Sequence, residues 1–497
     1  MAIDNVVTGC SSQEKKVKGS AMSHGVLTVG EADRVSLGQK LAYGAGAFVN
    51  NLLAAAIGGM TIVLNLGLGM DPALVGLLGA LPRLVDALTD PLMGYLSDHT
   101  RSRWGRRRPY IFSGALAVGV IFALLWQLPE GQSESFYFTF FLLGSILFYL
   151  AYTVFVTPWV ALGYELTPDY HERTRVMGVQ NALGQLAYVI APWFLAFMYN
   201  EDLFPNVVEG AAGLGILVGL TAMIFGVLPA IFLRERFQRA AEIPGAEGSK
   251  VGEAIRGFFR GFALTLRFRP FLLLCGATFL VFNGFILVSS FQAYVIIFYV
   301  FGGDEALAAE YIGWAGTLSA VSTFAVIALV TTLSSHLGKR QTFFAAIGVS
   351  VLGYLAKWFC YDPEAPWLLL LPAPFMAFGL GALFTLMGSM IADVCDLDEW
   401  ETGERREGMF ASIYWWVVKL GMSAAILGGG LLLNLTGFDV ALGGAQAPET
   451  LVFMRLLDAG VPALSSLLAI VLVALYPLTE ARAQEVREAL EARRGAA

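Results

Sequence analysis

The 497-residue chain has little charge and few of the side chains that build enzyme active sites or metal centres. Only 14% of its residues are charged, against about 25% in an ordinary soluble domain. Its four cysteines are far apart with no CxxC pair, and its four histidines fall in or beside polar connections. Neither a disulfide framework nor a metal knuckle is indicated. No His, Cys or Ser/His constellation falls within the apolar segments, so we expect neither an enzyme nor a cofactor or nucleic-acid partner.

The first 37 residues also lack a feature, namely the apolar run of a secretory signal. They contain Lys15, Lys16, Lys18, Asp33 and Arg34 but no apolar stretch of about 7–15 residues. No cleavable signal peptide is therefore expected, and the N-terminus is predicted to stay in the cytoplasm.

Long hydrophobic segments, in contrast, fill most of the chain. Hydrophobic residues make up 57% of it, in blocks long enough to cross a hydrocarbon core of about 30 Å. The pattern predicts an all-α membrane protein with twelve transmembrane helices in two six-helix bundles. The predicted spans are 38–66, 73–97, 110–128, 136–165, 176–200, 211–233, 270–302, 309–335, 342–361, 366–392, 409–436 and 452–477.

The basic residues are distributed asymmetrically between the loops. Of the 32 Lys and Arg residues, 28 fall in the termini and the even-to-odd loops if the N-terminus is cytoplasmic, counting Lys40 at the inner edge of span 1, and none falls in an outer loop. Positive residues accumulate on the cytoplasmic side of membrane proteins. The sequence therefore predicts a multi-pass protein of the cell inner membrane with both termini in the cytoplasm.

A long basic connection divides the spans six and six. The predicted organisation is an N-terminal segment, a first bundle, a cytoplasmic linker, a second bundle and a cytoplasmic tail, at 1–37, 38–233, 234–269, 270–477 and 478–497. The charged stretch 479–494 is expected to be a short solvated helix.

Span 2 carries an unusual set of polar residues. Spacings of three and four place Arg83, Asp86, Thr89 and Asp90 on adjoining parts of one helical face. Two carboxylates about one turn apart in a low dielectric repel each other and favour taking up a proton or a small cation. Asp86 and Asp90 are thus a candidate cation site, for Na⁺ or H⁺, with the Thr89 hydroxyl assisting. The alternative is that Arg83 simply neutralises Asp86.

Span 11 places a lysine at mid-depth. Lys419 could pair with Asp86 or Asp90 or bind substrate, with Trp415 one turn away as an aromatic platform. The alternative is a purely structural ion pair. Lys357 and Arg455 lie nearer the outer surface, where snorkelling and a local Arg455 to Asp458 pair explain them.

The loop after span 2 contains a run of arginines. Anionic lipid headgroups or acids at helix ends could bind them, and in the second case they would hold a cytoplasmic gate closed. The acids of 393–407 are candidate partners. The spacing of the glycines favours a gating segment that includes Gly94, Asp98, Gly105 and Arg106.

These motifs resemble the major facilitator superfamily and, within it, the glycoside/pentoside/hexuronide:cation symporters typified by the melibiose carrier. The resemblance is carried by 40–48, 83–105, 391–396 and 417–419. It implies that Asp86, Thr89, Asp90 and Thr153 form the cation site and that Tyr152 and Lys419 border a sugar cavity. Val156, Asn51 and Gln180 replace charged residues of the family, which weakens sodium relative to proton coupling and argues against transferring galactoside recognition.

The expected function is secondary active, cation-coupled symport of a sugar or glycoside by alternating access. The candidate substrate contacts are Asn51, Arg83, Tyr152, Gln180, Trp415 and Lys419. The alternative is a carrier of an amphiphile such as a lysolipid, or of another non-sugar solute. The expected partners are the small-molecule substrate and membrane lipids, and we expect a monomer.

Overall fold

The computed structural model describes residues 34–100, 102–129, 131–167, 170–235, 265, 267–403 and 407–495. Within these residues the chain forms twelve long helices and a C-terminal helix, with short 3₁₀ turns and no strand. The helices are α1 Leu37–Met60 with its continuation Ile62–Leu66, α2 Pro72–His99, α3 Arg108–Leu125, α4 Glu134–Glu165, α5 Tyr170–Ile190 with its continuation Phe194–Met198, α6 Val207–Gly226 with its continuation Leu228–Phe232, α7 Arg269–Tyr294 with its π-helical continuation Val295–Val300, α8 Glu305–Leu337, α9 Lys339–Cys360, α10 Pro372–Thr402, α11 Glu407–Leu435, α12 Pro448–Ala474 and α13 Glu480–Gly495.

Local sequence explains where these helices begin. Ser36 and Gln39 form a reciprocal capping box at the start of α1. Asp71 caps α2 by accepting hydrogen bonds from the backbone N–H groups of Ala73 and Leu74, and Pro72 fits the first turn, where no N–H is needed. Both helices therefore begin at polar residues that satisfy free backbone N–H groups of the first turn.

Eleven helices in the described part of the chain are long and apolar enough to span a membrane. The remaining long helix, α2, has 28 residues but carries Arg83, Asp86 and Asp90 in its middle. It packs along α4 in the first bundle and α11 in the second. The chain is a multi-pass membrane protein, and α2 is a long helix with charged residues in its middle.

The two bundles share one packing scheme. In the first, α1 packs on α5 and α6, α2 packs on α4, and α3 packs on α4 and α6. In the second, α7 packs on α11 and α12, α8 packs on α10, and α9 packs on α10 and α12. Each of these five pairs in the first bundle thus has its counterpart six helices later, as expected for two related six-helix bundles.

The bundles meet through α2 with α11 and through α5 with α8. We call the end that carries α13 and the start of α1 the terminal side, and the opposite end the far side. On the far side the Asn434 amide donates to both carboxylate oxygens of Asp71 at 2.9 Å, and the Trp193 indole donates to the Thr317 hydroxyl at 2.8 Å. Trp415, towards the terminal side on α11, is 55% exposed. Contacts between the bundles therefore close the far side, whereas Trp415 is exposed towards the terminal side.

The C-terminal helix corrects one expectation. A solvated tail was expected, but α13 packs on α10 and buries Val486 and Leu490 at 2% and 3% exposure. The Arg482 guanidinium lies 5.1 Å from the Trp400 ring centroid. Apolar residues at i and i+4 give α13 one apolar face despite its charge, and that face explains why it docks.

The contacts of Lys357 and Arg455, in the outer half of the second bundle, contradict a second expectation. Lys357 donates a 2.8 Å bond to Asp458, and both side chains are 1% exposed, so snorkelling is wrong for Lys357. The local pair of Arg455 with Asp458 is also wrong. The Arg455 guanidinium instead lies 3.9 Å from the Tyr299 ring centroid and 4.6 Å from that of Trp358. Burial drives Asp458 to the lysine of the neighbouring helix, because an unpaired buried charge is costly.

Candidate cation and substrate site

An ion-pair cluster joins the two bundles near the middle of α2 and α11. The Lys419 ammonium donates a 2.9 Å hydrogen bond to Asp86 and a second hydrogen bond to Asp90. Asp86 is 6% exposed, whereas the side chains of Asp90 and Lys419 are about one third exposed. One cation therefore bridges two carboxylates, and the sequence-predicted contact across the bundles is present.

Threonines of α4 complete the oxygen cluster. The Thr153 hydroxyl donates to Asp86 at 2.9 Å and lies 3.2 Å from the Thr89 hydroxyl. The Thr157 hydroxyl donates to Asp90 at 3.1 Å. Thr157 is not among the predicted site residues, although it lies one helical turn beyond Thr153 and that spacing could have revealed it.

These groups provide hard oxygen ligands and little else. Within the described residues, no group of three or more His, Cys, Asp or Glu side chains is placed to hold a metal ion. The carboxylates of Asp86 and Asp90 with two hydroxyls suit a proton or a sodium ion. Lys419 occupies both carboxylates in this conformation, so a bound cation would compete with the ammonium.

Arg83 does not neutralise Asp86. Its guanidinium contacts the Met422 sulfur at 3.5 Å and lies 5.9 Å from the Tyr149 ring centroid. In the described part of the chain it forms no ion pair, so that alternative is wrong for this conformation. Arg83 is a half-buried cation among aromatic groups beside the cluster.

An aromatic pair lies on the terminal side of Lys419. Trp415 stacks on Phe384 with centroids 6.4 Å apart and an interplanar angle of 16°. Both rings are largely exposed, at 55% and 44%. An exposed stacked surface one turn from a lysine can contact a sugar ring, as predicted for Trp415. Phe384 was missed, because nothing in an apolar span distinguishes a phenylalanine that lines a cavity from one that faces lipid.

The remaining predicted substrate contacts form a chain on α1, α4 and α5. The Tyr152 hydroxyl donates to the Asn50 side-chain oxygen at 2.7 Å. The Asn50 side-chain NH₂ group donates to the Asn51 side-chain oxygen at 2.9 Å. The Asn51 amide donates to the Gly184 carbonyl at 3.0 Å. Gln180 is half-buried one turn before Gly184 on the same face of α5. Asn50 was missed, although two adjacent asparagines in an apolar span are themselves a signal.

The predicted gating residues lie around the start of α3. Gly105 has φ of +109°, which favours glycine, and the Arg106 guanidinium bonds Glu165 within the same bundle. Gly94 is half-buried in α2 beside Thr157, and the side chain of Asp98 lies outside the described part. Asp393, proposed among the partners of the arginines, pairs with Lys339 at 2.5 Å. The gating role stays a prediction.

A second charged contact fixes the start of α1 on the terminal side. The Lys40 ammonium lies 2.7 Å from Glu172, and the backbone N–H of Val35 donates to the same oxygen at 3.1 Å. The lysine hydrogen bond lowers the pKa of the Glu172 carboxyl. This carboxylate therefore ties α1 to α5 when ionised, and the tie weakens as the pH falls through its lowered pKa.

Comparisons with known proteins agree with this architecture. An uncharacterized symporter of Synechocystis sp. is 26% identical and is matched over 93% of this chain and 98% of its own length. A glucuronide carrier protein homolog of Escherichia coli is 25% identical over 84% of this chain and 87% of its own. The structure of a bacterial homolog of the human lysosomal transporter Spinster, inward-facing and unoccupied, aligns with a TM-score of 0.60, 16% identity, and coverage of 88% and 94%.

The family match extends over both bundles. Residues 42–480 match the family described as MFS/sugar transport protein, a range that runs from α1 to the start of α13 and includes the cation cluster. Together with the paired packing scheme of the bundles, this match makes the chain a membrane transporter belonging to the MFS/sugar transport family.

Proposed function

We propose that this protein is a cation-coupled symporter of a sugar or glycoside that works by alternating access, with both termini in the cytoplasm. The observation that carries the proposal is the bridge from Lys419 to Asp86 and Asp90, which joins the bundles at the point where a cation would bind. A proton or a sodium ion that binds the carboxylates weakens this bridge. Binding is thereby linked to the relative position of the bundles.

The substrate would bind beside this cluster, between the bundles. Asn50 and Tyr152 offer hydrogen bonds to hydroxyl groups, and Trp415 offers a stacking surface. Such a mixture of a few polar groups and exposed aromatic rings suits a sugar ring, which has polar edges and an apolar face. Release of Lys419 from the carboxylates would also free its ammonium to donate to the substrate.

The conformation fits one half of an alternating-access cycle. The far side is closed by the Asp71 to Asn434 and Trp193 to Thr317 contacts, and we infer from the exposed Trp415 that the terminal side is open. With the positive residues on the terminal side, the open side is the cytoplasmic one. The state described is then the one from which substrate leaves the carrier.

The test measures uptake into right-side-out membrane vesicles. Radiolabelled glycosides and glucuronides are offered with an imposed proton gradient, a sodium gradient or neither, and lysolipids are added as competitors. We expect accumulation only with one of the two gradients, and loss of that accumulation in Asp86→Asn while membrane insertion is retained. The matched control Asp202→Asn changes an exposed aspartate of a far-side turn and should accumulate substrate normally.

Two results would contradict the proposal. If gradient-driven accumulation were unchanged in Asp86→Asn, the ion-pair cluster would not be the site that couples transport to the cation gradient. If lysolipids competed for transport and no glycoside did, the substrate would be an amphiphile and not a sugar.

A further inference from the structure

A groove on the first bundle lies away from the cation cluster. It has a volume of about 950 Å³ and runs between α1, α5 and α6 from Ser36 and Arg234 to Phe48 and Leu183. The distance from Ser36 to Phe48 along α1 is about 18 Å at 1.5 Å per residue, close to half of a hydrocarbon core of about 30 Å. The groove therefore begins on the terminal side and reaches at least the middle of the membrane.

The groove opens to the membrane and not to the space between the bundles. Its α5 wall is formed by residues such as Leu186 and Ile190, which lie about 160° around the helix from Gly184 and Tyr188. Gly184 contacts Asn51 in the candidate substrate site. The wall residues Leu186 and Phe232 are 48% and 58% exposed, as expected for side chains that contact lipid.

The polar end of the groove carries an unpaired cation. Arg234 is exposed at the end of α6 and makes no hydrogen bond or ion pair within the described residues. It also lines an adjoining pocket of about 320 Å³ with Trp104 and Arg108. The Arg108 guanidinium lies 5.4 Å from the Trp104 ring centroid and is held by the carbonyls of Ala230 and Ile231.

One acid, Glu235, lines the same pocket, but its carboxylate already accepts hydrogen bonds from the protein backbone. The Glu235 carboxylate accepts hydrogen bonds from the backbone N–H groups of Arg106, Arg107 and Arg108 at 2.8, 2.9 and 3.0 Å. It thereby serves the start of α3, where the helix dipole favours a negative charge. Among the described residues that line this pocket, Arg108 and Arg234 are two cations beside a single carboxylate that the backbone of α3 already engages.

We propose that the groove binds an anionic phospholipid of the terminal-side leaflet. One acyl chain lies in the groove along α1, and the headgroup phosphate pairs with Arg234 and faces Arg108. Trp104 lies at the same level, where tryptophan is common at membrane interfaces. Basic pockets between membrane helices on the cytoplasmic side recognise such headgroups. The apolar groove directly beside the arginine distinguishes a lipid from free phosphate.

The test is a lipid titration of the purified protein followed by native mass spectrometry. The probes are phosphatidylglycerol, phosphatidylcholine and the soluble headgroup analogue glycerol phosphate. We expect phosphatidylglycerol to bind at least tenfold more tightly than phosphatidylcholine, with no retention of glycerol phosphate. Arg234→Gln should remove the preference for phosphatidylglycerol, whereas Arg103→Gln, which changes an exposed arginine of the connection between α2 and α3, should keep it.

A second variant tests the groove separately from the charge. A Cβ added at Gly38 meets nothing within 4 Å, so Gly38→Leu fills the groove without a backbone clash and should weaken both lipids. Gly348→Leu is the control in the other bundle, since a Cβ at Gly348 is equally unhindered. Equal binding of the two lipids to the unmodified protein, or identical behaviour of Arg234→Gln and Arg103→Gln, would overturn the proposal. Retention of glycerol phosphate as strong as that of phosphatidylglycerol would show an anion site instead of a lipid site.

Discussion

Lys357 and Asp458 show how a single buried pair contributes to the second bundle. They join α9 to α12 across 101 residues of sequence, and neither reaches solvent. Removing one partner of such a pair typically costs about 3–5 kcal/mol, because the other charge is left uncompensated. Replacing both partners by apolar residues of similar size is often neutral. Comparing the single with the double replacement therefore separates the cost of an unpaired buried charge from the net contribution of the ion pair to stability.

We therefore expect Lys357→Met to lower the thermal unfolding temperature strongly in detergent. The double variant Lys357→Met with Asp458→Leu should recover most of that loss. Fluorescence-detected unfolding of the unmodified protein, both single variants and the double variant gives the coupling between the two positions. If the two single losses simply add in the double variant, the charges do not compensate each other.

Single residues also show where inference from sequence ends. The charges within spans could be recognised, and the contact of Lys419 with Asp86 and Asp90 was among the alternatives because these residues are few. The partner of Lys357 could not be predicted, because a local choice, Arg455 with Asp458, was available. Whether Asp458 pairs with Arg455 or with Lys357 depends on the rotation of each helix and on burial, and a single sequence does not specify these. For the same reason Phe384 was not distinguishable from a lipid-facing residue.

At the scale of elements, apolarity predicts where helices cross the membrane but not where they end. Span 10 was expected to finish at residue 392, whereas α10 continues to Thr402 with five acids beyond residue 392. Polar helical turns that extend beyond the membrane leave no trace in hydropathy. The docking of α13 was missed for a related reason, since its two buried residues are hidden among charges.

The docked position of α13 leads to an element-scale prediction. Leu490→Ser removes about 2 kcal/mol of apolar burial against α10. The equilibrium for local opening of α13 should therefore rise roughly 30-fold, with little change in unfolding of the bundles. Limited proteolysis measures this opening as the rate of cleavage within 480–495. Glu488→Ser, at an exposed position of the same helix, is the control; equal cleavage of both variants would mean that α13 is not held by its apolar face.

For the whole molecule, the contacts on the far side decide which way the transporter opens. Asn434 reaches Asp71 from the other bundle, and both residues lie at the exposed rim. Contacts of this kind are made in one conformation and lost in the other, so each one biases the equilibrium between them.

Asn434→Ala should therefore raise the population of far-side-open molecules. At about 1 kcal/mol for this exposed pair, the ratio of open to closed molecules changes roughly fivefold. Spin labels at Leu203 and Leu307, exposed positions of different bundles, report the change as a longer distance in electron paramagnetic resonance. Asn200→Ala alters a far-side turn within one bundle and should leave the distances unchanged. The same distance distribution in Asn434→Ala would show that this contact does not bias the equilibrium.

The bridge between Lys419 and the two aspartates also has an electrical consequence. With all four groups ionised, Lys419 and the neighbouring Arg83 balance the two carboxylates, so the empty site has no net charge and one bound cation gives it one positive charge. A voltage across the membrane then acts on the loaded carrier and not on the empty one, by about 2.3 kcal/mol per 100 mV for a charge that crosses the whole field. An inside-negative potential would favour inward movement of the loaded carrier. Transport by this protein would then respond to voltage through its loaded step.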